Sequence, residues 1–208
     1  MRIDPAGWPF ILGAFVLALI GAFAVHTLVG VVLLVLSGFF LFFFRDPDRT
    51  VTRADKAVLS PADGRVMVAG ASISHEFPAA AWEQISIFLS PMDVHVNRLP
   101  VGGRVTRVRY HPGRFLPAYR SDAGDLNEYT EVWIDHGGQV IAVRQIVGIL
   151  ARRIVCRVKE GEQVQAGDRF GVMKFGSRMD VFVPKGTEIA VKVGDHVVGA
   201  VTVIARLP

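Results

Sequence analysis

The run "WPFILGAFVLALIGAFAVHTLVGVVLLVLSGFFLFFF", from Trp8 to Phe44, contains no Asp, Glu, Lys or Arg, and His26 is its only ionisable side chain. At about 1.5 Å per residue, one helix through the whole run would far overshoot the ~30 Å hydrocarbon core of a bilayer. Residues 1–44 are therefore expected to form a membrane-associated helical hairpin, broken near His26, Thr27 and Gly30, with both ends on one side. Two crossing arms and a re-entrant hairpin lodged in one leaflet both satisfy the pattern. Arg45, Arg49, Arg53 and Lys56 follow in a basic linker, 45–56, and the positive-inside bias puts that side in the cytoplasm, at the cell (inner) membrane. The run is much longer than the apolar part of a signal peptide, and Phe-Phe-Phe-Arg is a poor cleavage site.

Downstream the pattern changes. Residues 57–208 carry "GRVMVAGAS", "QISIFLS", "GRVTRVRY", "EYTEVWIDHG", "QVIAVRQIVG", "RRIVCRVK", "RFGVMKF", "MDVFVP", "EIAVKV" and "GAVTVIARL" between Gly, Pro and Asp turns. Val and Ile recur in these runs with partial period-two alternation, the mark of strands. Helix signals shrink to a short turn at "PAAAWEQ". With 51% hydrophobic residues the chain can bury one sizeable core, so the expected fold is mostly β, a sandwich or barrel-like domain behind the hairpin. "VKEGEQVQAGDRFGVM" and "VKVGDHVVGAVTVI" echo one another, which predicts two similar sheet corners related by pseudo-symmetry. This repeat resembles the lipoyl and biotinyl carrier domains, whose modified lysine sits on a tight hairpin. Lys174 falls where that lysine would be, followed by Phe-Gly-Ser in place of methionine.

Cys156 is the single cysteine, so an intramolecular disulfide is excluded and a reducing compartment fits. The net charge of +4 and pI near 9.6 come from scattered basic residues. Without a recognition helix or an aromatic-basic groove pattern, they point to an anionic membrane surface and away from nucleic acid. His75, His111, His136 and His196 lie in no metal-ligand spacing, so no metal is expected. The segment "YHPGRFLPAYRSDAGDLNEYT" is the least strand-like, and reads either as a loop over a site or as an ordinary connection.

Three phrases carry chemistry: "LSPADGRV" around Asp63, "FLSPMDVHVNRLP" around His95 and "KFGSRMDVFVP" around Ser177. Their order and spacing resemble the phosphatidylserine decarboxylase proenzymes, in particular the short, archaeal-type form, and the likeness covers nearly the whole chain. The resemblance implies a self-processing carboxy-lyase. The chain would cut itself between Gly176 and Ser177 into 1–176 and 177–208, and the serine would become a covalently bound pyruvoyl group. Neither pyridoxal phosphate nor a metal is implied. A residue without Cβ before the serine admits the close approach that intramolecular attack needs, and the hydroxyl needs a base and an oxyanion donor. The pyruvoyl carbonyl would then serve in removing the carboxylate of phosphatidylserine as carbon dioxide, leaving phosphatidylethanolamine.

His95 and Asp63 are the implied assistants. In "DVHVN" alternation is expected to put Asp93, His95 and Asn97 on one face of a strand, and an imidazole can move protons near neutral pH. Longer family members carry a second histidine three places on, which serves with Asp and Ser in self-cleavage. Here that residue is Arg98, which cannot be a base. Either His95 does both jobs, or cleavage relies on strain and oxyanion stabilisation with Asp63 assisting. Arg98, Arg114 and Arg178 are candidates for holding the lipid phosphate or serine carboxylate, since guanidinium offers either anion a bidentate fork. The implied partners are a phospholipid and the membrane, and leftover strand edges leave room for a homodimer. Two other readings stay open on the residues: a carrier modified at Lys174, and a membrane-anchored structural module in which Gly176-Ser177 is a plain turn.

Overall fold

The structure is a computed structural model that describes residues 2–149, 153–174 and 177–208, so Gly176 lies outside the described residues. The chain divides into two compact units, Met1–Asp48 and Arg49–Pro208.

The first unit is the expected hairpin. Helix α1 (Trp8–Ile20) continues through a π-helical turn, Gly21–Val25, and α2 (Thr27–Phe43) returns. The break falls at His26, whose backbone is extended at φ −164° and whose Nδ1 accepts the Leu28 N–H at 3.2 Å, capping α2. The arms touch where side chains are smallest. A Cβ on Gly30 would lie 2.5 Å from Ala22 Cβ, and Ser37 Oγ donates to the Ile11 carbonyl at 3.0 Å. Strands β1 (Arg2–Ile3) and β2 (Arg45–Asp46) pair antiparallel, which brings both ends of the hairpin together. The arms are unequal: Pro5–Val25 is long and apolar enough to cross a bilayer, whereas Thr27–Phe43 has 17 residues, about 25 Å of helix.

The second unit is mostly β. Its strands are β3 (Ala57–Leu59), β4 (Gly64–Ala71), β5 (Trp82–Leu89), β6 (Val96–Arg98), β7 (Gly103–His111), β8 (Tyr129–His136) and β9 (Gln139–Ile146). They continue as β10 (Ile154–Cys156), β11 (Gln163–Val164), β12 (Arg169–Met173), β13 (Ser177–Pro184), β14 (Glu188–Ile189), β15 (His196–Val197) and β16 (Val203–Arg206). An eight-stranded antiparallel sheet runs β11-β7-β8-β9-β13-β5-β4-β15, and two three-stranded sheets run β10-β12-β6 and β14-β16-β3. The core, including Val58, Leu99, Val143, Phe170, Val181 and Ile204, is built from residues of all three sheets.

The sequence repeat is realised as a pseudo-twofold relation. Each copy begins as a two-residue edge strand, β11 against β7 and β15 against β4, and then turns into a small sheet as β12 or β16. Gly161 and Gly194 take matching left-handed conformations (φ 86° and 96°) and donate to matching carbonyls, Val105 and Val66. The bulges match as well, between Val105 and Arg107 in one half and between Val66 and Val68 in the other. Because the chain leaves each short edge strand for a small sheet, the large sheet stays open. Among the described residues no pairing joins β11 to β15, so the barrel-like expectation resolves as open sheets without a closed barrel. The carrier-type hairpin is absent too: β12 pairs with β10 and β6, β13 with β5 and β9, so Lys174 leads from one sheet to another. "PAAAWEQ" forms a turn and then the start of β5 rather than a helix.

The outer face of the large sheet carries buried charge. Arg144 on β9 is fully buried, donates to Glu131 at 2.8 Å and to Glu76 at 2.7 Å, and stacks 4.0 Å over Tyr129. It also reaches Asp125 in α3 (Ala123–Leu126) at 3.3 Å. Burial would raise the Asp125 carboxyl, but the Ser74 hydroxyl, the His75 N–H and Arg144 together hold it below its ordinary value. Replacing Arg144 with Met leaves Glu131 buried and unpaired, and is expected to cost about 3–5 kcal/mol in urea unfolding. A group with a depressed folded pKa contributes stability above its unfolded pKa and loses it as pH falls through the lower folded value. The urea midpoint should therefore drop more steeply below about pH 4 in the native chain than in Asp125→Asn.

Candidate active site

Ser177 opens β13 at the centre of the large sheet, paired with Leu89 of β5. Alternation turns its side chain to the same face as Met179, Val181 and Val183, all of them fully buried in the core. Ser177 is itself fully buried, and its Oγ has no hydrogen-bond partner. Between Met173 and Ser177 the chain passes from a three-stranded sheet to the eight-stranded one. A second crossing runs beside it. β5 ends at Leu89, the partner of Ser177, and Ser90–His95 leads to β6, the partner of β12. The two crossings touch where the Met173 N–H donates to the His95 carbonyl at 3.3 Å. His95 and Ser177 are thus brought to one end of the core by paired strands on both sides.

His95 is fully buried, with Nδ1 2.9 Å from the Asp93 carbonyl. A carbonyl only accepts, so Nδ1 carries the proton and Nε2 is the basic nitrogen of the neutral ring. Asp93 does not share a strand with it. The expected alternation over "DVHVN" starts only at Val96, because Asp93 closes a turn: its Oδ2 accepts the Ser90 N–H at 2.8 Å, and its Oδ1 lies 3.4 Å from His196 Nε2.

Asp63 sits between β3 and β4 at the same end of the large sheet. Arg65 pairs with Phe88, next to the Leu89 that pairs with Ser177, so two strand spacings, about 10 Å, separate Asp63 from Ser177. Its Oδ1 accepts the Gly199 N–H at 2.8 Å and its Oδ2 pairs with Arg49 at 2.7 Å. Gly64 follows at φ 155°, where a Cβ would lie 2.2 Å from the Phe88 carbonyl oxygen. The pseudo-twofold mate of Asp63–Gly64 is Gly102–Gly103, with the same backbone (Gly103 φ 146°) and no carboxylate. The turn therefore forms without Asp63.

The three arginines are not alike. Arg178 is buried, with Nε and Nη2 on Asp180 at 2.6 and 2.9 Å, Nη2 on Ser86 Oγ at 3.0 Å and Nη1 on the Arg120 carbonyl at 3.2 Å. Arg98 is buried as well, and its Nη1 donates to the Gly167 carbonyl at 3.2 Å. Arg114 is exposed, held by backbone bonds to Leu126 and Glu128 in a loop that also presents Phe115 and Tyr119. Two site features escaped the sequence reading: the ion pair of Arg178 with Asp180, and a bond of 2.8 Å from Gln145 Nε2 to Asn97 Oδ1 between two sheets. The signal for Gln145 was present in "VIAVRQI", where it shares the apolar face of Ile141 and Val143. Burial raises the Cys156 thiol, and among the described residues no group of His, Cys, Asp and Glu could hold a metal ion.

Comparison with known proteins gives one answer. The profile of the phosphatidylserine decarboxylase family matches residues 36–205. A phosphatidylserine decarboxylase proenzyme of Symbiobacterium thermophilum is 44% identical over 203 residues, 97% of this chain and 94% of that protein. Proenzymes of the same name from Chlorobium limicola and Nitrosomonas europaea are 41% and 42% identical, covering 98% and 96% of this chain and 99% and 93% of their own lengths. The chain belongs to the phosphatidylserine decarboxylase family.

Proposed function

We propose that this chain cuts itself between Gly176 and Ser177 and then, with the pyruvoyl group so formed, decarboxylates phosphatidylserine to phosphatidylethanolamine. The observation that carries the reading is the buried, unpartnered Ser177 hydroxyl at the start of β13, four residues after Met173, whose N–H donates to the His95 carbonyl. In the first step Oγ bonds to the Gly176 carbonyl carbon, the bond to the Ser177 nitrogen breaks, and the hydroxyl proton passes to that nitrogen. Elimination then removes the Cα proton and breaks Cβ–Oγ, releasing residue 176 as a carboxylate. Water completes the conversion of the new terminus to a ketone, and ammonia leaves. Ser177 suits the product, because an uncharged carbonyl replaces an unpaired hydroxyl in surroundings that supply no counter-ion to Oγ. The pyruvoyl carbonyl supplies a sink for the electron pair left as the lipid carboxylate departs.

The residues divide the work. His95 Nε2, basic in the neutral ring, takes the Ser177 proton and later delivers one to the decarboxylated carbon. Arg98 stands where longer members have a second histidine, so both proton transfers fall to His95. Asp63 assists as the carboxylate at that end of the sheet, where its turn has no need of it. Arg114, exposed in its loop, is the arginine we assign to the lipid anion; Arg98 and Arg178 hold the scaffold around it. The apolar hairpin keeps the domain at the cytoplasmic face of the cell membrane, where a diacyl substrate stays in the bilayer.

Purified protein should run on a denaturing gel as pieces of 176 and 32 residues (208 less 176), the smaller with a ketone that borohydride reduces. The small piece contributes β13 to the centre of the large sheet, so the two should remain together until denatured. Ser177→Ala should stay one chain, and lipid turnover by that uncut variant would sink the proposal. His95→Gln should slow both the release of residues 177–208 and, per cut chain, decarboxylation, each by about 100-fold or more, the usual worth of a positioned acid or base.

A further inference from the structure

Among the described residues, four buried side-chain atoms have no hydrogen-bond partner: Asn97 Nδ2, Gln145 Oε1, Ser177 Oγ and His111 Nε2. The first three share one end of the core. Gln145 pairs in register with Met179 and faces the core with it, and Ser177 lies two residues before Met179 on that face. Gln145 and Ser177 are diagonal neighbours, with Cβ atoms about 7 Å apart. From there Gln145 reaches across to the three-stranded sheet and donates to Asn97 Oδ1 at 2.8 Å. It passes over Gly171, where a Cβ would lie 2.5 Å from Gln145 Nε2, so the bare glycine makes room for the reach.

The fold does not require this polar pair. Asn97 pairs with Gly171 beside the bulge of one small sheet, and in the other Val58 pairs with Ala205 beside the matching bulge, so Val58 is the mate of Asn97. Val105, Ile134 and Ile141 run across β7, β8 and β9 as Val66, Ile87 and Met179 run across β4, β5 and β13. Ile141 therefore matches Met179, and Gln145 matches Val183. Both mates, Val58 and Val183, are fully buried core residues. An apolar scaffold position has been given up, in this half only, for two amides that each keep a buried atom unbonded, which disfavours folding.

We infer that the Asn97–Gln145 pair serves the self-cleavage of Ser177. Gln145 Oε1 accepts the Ser177 hydroxyl before reaction and holds the oxygen in place, a positioning role that ends when the proton turns to His95 as Oγ attacks. Asn97 Nδ2 donates to the carbonyl oxygen ahead of Ser177, which becomes negative when Oγ bonds to its carbon and returns its electron pair as the link to nitrogen breaks. Neither amide gains or loses a proton, and the serine proton still passes to the departing nitrogen. The inference rests on the self-cleavage reading and adds to it an oxyanion donor, the kind of group whose loss costs a reaction about 100-fold or more.

The test uses the full-length chain with Asn97→Val, which copies Val58, combined with Gln145→Met, which keeps the volume. The release of residues 177–208 is followed on gels and by intact mass, and folding by thermal midpoint in a Ser177→Ala background, where every variant is uncut. Cleavage slowed about 100-fold, with the midpoint held or raised, supports the inference. Asn97→Val alone carries the same expectation should the double variant fold poorly. Adding hydroxylamine, which cuts an ester once formed, should not restore the rate, because the missing donor acts before the ester exists. Cleavage at the native rate in a folded Asn97→Val/Gln145→Met chain overturns the inference and leaves self-cleavage standing; a native chain that is never cut overturns both.

Discussion

The pairing of β13 with β9 on one side and β5 on the other is the constraint on which the catalytic unit depends. These are the middle strands of the large sheet, and the pseudo-twofold relation passes between β9 and β13. A strand hydrogen-bonded along both edges has little freedom; its first residue, Ser177, pairs with Leu89 of β5, and the pairing with β9 begins one residue later at Arg178. The strand before it in sequence, β12, belongs to another sheet.

Symmetry separates scaffold from site. Matching glycines, bulges and edge strands in the two halves are explained by turning the chain from a large sheet into a small one. The match is broken at Asp63 opposite Gly102, Asn97 opposite Val58 and Gln145 opposite Val183, and on the outer face of the large sheet at Arg178 opposite Val140, Asp180 opposite Ala142 and Arg144 opposite Phe182. Arg98 breaks it too: its mate is Leu59, and Arg98 ties β6 to the Gly167 turn. Asn97 and Arg98 lie on β6, the partner of β12, and Gln145 on β9, a partner of β13.

The hairpin was legible because an uncharged run so long has few other solutions, and the break at His26 coincides with the one polar ring in it. Long strands such as β8 and β9 were legible from their alternation. The two-residue strands β11, β14 and β15 were not, since only pairing with distant partners makes them strands. Ser177, His95 and Asp63 came from three phrases whose meaning depends on resemblance. Arg144 and Arg178 could not be read as buried, because partners such as Glu76 for Arg144 and Ser86 for Arg178 lie far along the chain and a lone arginine in a strand reads as surface.

The replacement of a second histidine by Arg98 then acquires a physical reading. Asn97 and Arg98 are adjacent on β6 and point to opposite faces, Asn97 toward Gln145 and Arg98 toward Gly167. An imidazole in place of Arg98 in this chain would point toward the turn and away from the amide pair, so its absence removes nothing from the side where Ser177 lies. In the proposed mechanism the acid-base chemistry falls to His95, whose Nδ1 lies 2.9 Å from the Asp93 carbonyl, while charge on the carbonyl under attack would be met by a neutral amide. A neutral donor suits a buried link, because it stabilises an oxyanion without itself needing a counter-ion in the core.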